Sequence, residues 1–128
     1  MATIMFLNVW LIIWPNQKKV IAGTDDAAQA GAKAALASRT NTLFSFPMLY
    51  FMIYSAHISD GKNYFYEIPG VAASGWDMPA LYIGTAIILA IEANVIFGKM
   101  RKFMESVKAV IHSGLALTVL FALLVYYY

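Results

Sequence analysis

Two histidines and one carboxylate lie within or beside long apolar stretches of this chain. His57 closes TNTLFSFPMLYFMIYSAH, Glu92 lies in ALYIGTAIILAIEANVIFG, and His112 lies in VKAVIHSGLALTVLFALLVYYY. Imidazole titrates near neutrality and is the commonest metal ligand. A carboxyl group in an apolar run is expensive unless partnered, which makes each of these residues a candidate for chemistry. With the last hairpin turning near Lys102, Glu92 falls ten residues before the turn and His112 ten after it. Antiparallel helices would bring the two to one depth. There they would share a proton, or the imidazole would bind haem iron; a plain hydrogen-bonded pair that fixes helix register is the competing reading. His57 stands eighteen residues beyond Arg39, about 27 Å along a helix, so it belongs on the opposite side of the membrane from His112. One haem cannot take both. As ligands of haem b, each would need a partner histidine from another subunit; otherwise His57 caps the outer end of its helix.

The elements that must position these groups follow from composition. Of the 128 residues, 61% are hydrophobic and 12% charged, with a mean hydropathy of +0.65. Soluble domains carry about 25% charged residues, and so short a chain has too little interior to hide the apolar excess. We therefore expect an all-α integral membrane protein, a single domain over 1–128. Four transmembrane helices, at about 1–14, 40–58, 80–98 and 107–128, would form an antiparallel bundle with bound lipids. The first is short, because fourteen residues span only about 21 Å of a hydrocarbon core of about 30 Å. It should therefore be sheltered by a partner subunit or be extended by residues upstream of Met1.

Basic residues orient the bundle. Lys18, Lys19, Lys33 and Arg39 follow the first stretch, and Lys99, Arg101, Lys102 and Lys108 join the last two, whereas 59–79 holds only Lys62. The positive-inside rule puts both basic loops in the cytoplasm and both termini outside, as expected for a bacterial inner-membrane protein. The aromatic loop with Tyr64, Phe65, Tyr66 and Trp76 would rest outside on a partner. On the second helix, Ser38, Asn41 and Ser45 share a face, and Pro47 removes one backbone hydrogen bond. Lipid cannot satisfy the carbonyl so freed, which predicts packing against the first helix and its Asn8. There is no cysteine, the methionines lack a metal-binding spacing, and no HExxH, phosphate loop or serine elbow occurs. No metal site, nucleic-acid surface or self-sufficient catalytic set is therefore expected.

One resemblance stands out. Thr3-Ile4-Met5, then Asn8-Val9 and Pro15-Asn16-Gln17 with Lys19, then Ser38, Asn41, Pro47, Leu49, Phe51-Met52 and His57 resemble the later part of the membrane domain of the membrane-bound urate hydroxylase family. That domain is the urate oxidase N-terminal domain, often fused to a cytochrome c. The match covers residues 2–57. It departs at Thr40, where the family pattern tends to carry a histidine, and this chain shows neither preceding helices nor a cytochrome domain. The resemblance implies an oxidoreductase setting, with haem-binding electron transfer or urate oxidation as one function. The reading of the whole chain favours a small accessory subunit packed with other membrane subunits in a redox or photosynthetic complex. A proton or solute carrier using Glu92 is the third.

Overall fold

The computed structural model describes residues 1–55, 78–97, 104 and 106–127. His57 and the 59–77 part of the expected outer loop lie outside the described residues. Among those described, the chain is all helix: α1 (Ala2–Leu7), a π-helical segment (Asn8–Ile13), α2 (Trp14–Ala22), α3 (Ala27–Ile53), α4 (Met78–Phe97) and α5 (Val107–Tyr127).

The first three segments form one uninterrupted rod, because the junction residues Leu7, Asn8, Ile13 and Trp14 all keep right-handed helical backbone angles. A proline inside a regular helix removes a bond and presses its ring on the carbonyl four residues back. Here the wider turn takes up that strain just ahead of Pro15, with the Trp14 amide donating to Val9, five residues back. Asn16 completes the repair, its Nδ2 donating to the Ile12 carbonyl at 2.7 Å.

The rod stops at Gly23, whose φ of 63° is left-handed, a conformation that glycine adopts without steric cost. Amides of Gly23 and Thr24 close on the carbonyls of Val20 and Lys19, and the chain reverses into α3. The connection between the helices expected at 1–14 and 40–58 is therefore shortened to a turn at 23–26. The helices expected at 1–14 and 40–58 run to Ala22 and start from Ala27 instead. Physically, the alanine-rich stretch has high helix propensity, and Ala30, Ala34 and Ala37 form a buried stripe. Gly31, beside that stripe, faces Val20 of α2.

Further along α3, Leu43, Phe44 and Pro47 are buried, as are Val110, Gly114, Leu117 and Phe121 of α5. The spacing of the α5 set is that of one helix face. α5 runs parallel to α3: Gly114 lies against Leu43 and Phe46, and Phe51 stacks near Phe121 at 5.8 Å. α4 runs the other way, Gly84 near Phe121 and Glu92 near Asn8. Successive helices thus alternate in direction.

Much of the described surface is apolar. Phe6, Trp10 and Trp14 form an exposed ladder along the first rod, with ring centroids 6.3 and 4.9 Å apart, and Leu11 and Ile21 are 62% and 87% exposed. By length and composition, Val107–Val125 of α5, 19 residues with a hydropathy of 2.0, is able to cross a membrane. Leu81–Phe97 is apolar but shorter. Among the described residues, one helix meets that test where four were expected.

Candidate functional site

The polar residues that should be costly in an apolar bundle converge on one point. Asn8 sits where the π-helical segment begins and is 3% exposed. Its Nδ2 donates to Asn41 Oδ1 of α3 at 3.0 Å and to Glu92 Oε2 of α4 at 3.4 Å. Asn41 Nδ2 in turn donates to the Met5 carbonyl at 3.0 Å, beside the shift from four-residue to five-residue turns. Three chain segments are linked by two amides and a carboxyl group. Amides suit this place because each is donor and acceptor, so a closed chain forms without a net charge of its own. Glu92 is the loose end. Half-buried on α4, it receives its one hydrogen bond among the described residues at the long end of the range.

The expected Glu92–His112 pair does not form. His112 is exposed, and its ring Nδ1 lies 2.7 Å from the Lys108 carbonyl within its own helix. The reason is rotational. Val110 and Gly114 face α3, and a residue two places from each lies about 200° round the helix. Depth was legible from the sequence, but azimuth was not. Since a carbonyl only accepts, Nδ1–H is the donor in this contact.

Among the expected packing residues, Asn8, Asn41 and Pro47 lie at helix contacts. Ser38 is exposed, and Ser45 donates to the Thr42 carbonyl of its own helix at 2.7 Å. Pro47 offers no amide to Leu43, four residues earlier. That carbonyl is covered by α5: a Cβ placed on Gly114 would lie 3.2 Å from it and 2.6 Å from Phe46 Cδ2. Glycine lets the two backbones approach this closely, so the carbonyl is shielded by a Cα–H instead of lipid. At the basic end, Arg39 Nη1 donates to the Met104 carbonyl at 2.9 Å, tying α3 to the approach to α5. Sequence reasoning missed both the Gly114 and Arg39 contacts. The glycine in an apolar run was the available signal for the first.

A second feature is an apolar cleft of about 650 Å³ at the opposite end, lined by Phe51, Met52, Leu81, Ile88, Phe121 and Val125 among others. No group of three metal-ligating side chains occurs among the described residues.

These features define an all-helical protein with an apolar exterior, a membrane-length helix and an internal amide–carboxyl cluster. The urate oxidase N-terminal family matches residues 1–66, 66 of 128 positions, and the chain belongs to that family. The match takes in α1 to α3 and stops before α4. No curated protein and no solved structure matches.

Proposed function

We propose that the chain is a four-span membrane subunit, mainly structural, packed with partner subunits in a larger bioenergetic complex of a bacterial inner membrane. The observation that carries this reading is the inversion of polarity. Large apolar side chains cover the outside on every helix, and the polar groups Asn8, Asn41 and Glu92 meet within. A soluble fold of this size would leave such a surface in water, where contiguous apolar patches drive association. α3, roughly 40 Å long at 1.5 Å per residue, is long enough to span at a tilt, its polar first half extending to the basic end. Arg39 reaching Met104 brings the two basic connections to one end, which supports a cytoplasmic assignment for both. The apolar cleft supports bound lipid.

A second reading, haem-binding electron transfer, draws support from His112. Metal-ligating histidines almost always donate their other N–H to a carboxylate, carbonyl or water, and here Nδ1 is held on Lys108 with Nε2 aimed away from its own backbone bond. An absorption spectrum and mass inventory of the gently purified native assembly tests both readings. Stoichiometric partners without haem on this chain support the first; haem b retained by the isolated chain supports the second. A chain that purifies alone and colourless rejects both.

A further inference from the structure

We infer that Glu92 marks the face of α4 on which a partner's membrane helix docks, and that this partner presents a cationic side chain, Arg or Lys, to the carboxylate. The inference rests on the accessory-subunit reading and names the chemistry of its partner.

A carboxylate accepts through two oxygens with roughly four lone-pair directions. Glu92 is given one neutral donor, at 3.4 Å, and that donor makes its shorter bond, 3.0 Å, to Asn41. Among the described residues the ion pair is Lys19–Asp26, far away at the hairpin turn, so no described cation answers Glu92. Acidic groups at membrane depth almost always pair with something. The surface around Glu92 is open: Leu89 and Ile96 on the same helix are 54% and 45% exposed, and Ala93 beside it is exposed too. Charge complementarity therefore selects a basic side chain over plain hydrocarbon as the covering group. Arg suits the position well, since its fork engages both carboxylate oxygens.

The test uses the native assembly. A photo-crosslinking amino acid at Ala93, next to Glu92, should yield one discrete protein adduct, whereas the same probe at Leu120 on the outside of α5 serves as the comparison. In parallel, Glu92→Gln keeps an acceptor for Asn8 but removes the charge. Partner retained after detergent extraction should fall by about tenfold or more, as for truncating one side of a buried charge pair, while the thermal unfolding of the chain itself stays unchanged. If partner retention is the same in wild type and Glu92→Gln, the inference fails while the subunit reading stands. Lipid-only adducts at Ala93 likewise overturn it. When no partner accompanies even the wild type, the subunit reading fails and this inference falls with it.

Discussion

At the residue scale, the two amides of the site form a small closed circuit with the Met5 carbonyl, and neither should be replaceable alone. Asn41→Leu removes the acceptor for Asn8 and the donor for the Met5 carbonyl at once. Stranding such groups costs about 1–3 kcal/mol, which we expect as a loss of stability in reversible unfolding from detergent micelles. A double-mutant cycle over Asn8 and Asn41 should return a coupling of about 0.6 kcal/mol and no more than roughly 1.7, the range for side-chain hydrogen bonds between membrane helices. Gly114 is the second sensitive point. A methyl group there meets Phe46 Cδ2 at 2.6 Å, so Gly114→Ala should destabilise by about 1–3 kcal/mol through overpacking. Adding Phe46→Ala should recover only part of the loss, because the Leu43 carbonyl still faces the new carbon. Additive losses in the same unfolding assay would show that the two positions are not in contact.

At the element scale, the Pro-Asn-Gln motif acquires a mechanical meaning. Pro15 follows the wide turn, and Asn16 returns a donor to Ile12, so two of the residues that carry the family resemblance serve the backbone. The turn after them is stapled by Lys19 Nζ on Asp26 Oδ2 at 2.7 Å, with the Thr24 hydroxyl donating to Asp26 Oδ1 at 2.7 Å. The Lys19 hydrogen bond, then that of Thr24, holds the Asp26 carboxyl below its ordinary value of 3.8. A depressed folded value means that the contribution is present above 3.8 and disappears as the pH falls through the lowered value. Hydrogen exchange of the turn amides, followed from about pH 5 to pH 2 and corrected for intrinsic rates, should show protection lost in the acid range. Lys19→Met should flatten that dependence. The pair is exposed, so the effect should be confined to the turn.

At the scale of the molecule, membrane topology is the decisive property, and the absence of cysteine makes it directly measurable. In intact cells, an impermeant maleimide should label the Lys62→Cys variant, and should reach the Asp25→Cys variant at the hairpin tip only after permeabilisation. The reverse pattern would invert the proposed orientation. The apolar excess made the helical class and a membrane-length helix legible, because it is an average over many residues. Asn8 and Asn41 were legible as partners because each polar side chain in lipid must find another. The error in pairing Glu92 with His112 came from inferring depth without azimuth: a spacing from a turn fixes height on a helix, not the side from which a residue projects. The first two helices were bounded too narrowly for a different reason: the polarity of 15–39 resembles that of a connection, but the helix propensity of its alanine-rich stretch starts α3 at Ala27.

The π-helical segment has a consequence for insertions and deletions. One supernumerary residue is held between Asn8 and Ile13, and it works as a phase shifter between two halves of a single rod. Below it, Val20 meets α3 through Gly31; above it, Asn8 meets the same helix through Asn41. Winding these same residues as an ordinary α-helix would add the rotation of that one residue, about 100°, between the upper half and the lower. Asn8 would then swing away from Asn41 and Glu92, and the Phe6–Trp10–Trp14 ladder would be broken out of line. Deleting one residue from Val9 to Ile13 should therefore keep the two halves in phase, whereas a deletion elsewhere in the rod should separate Asn8 from Asn41.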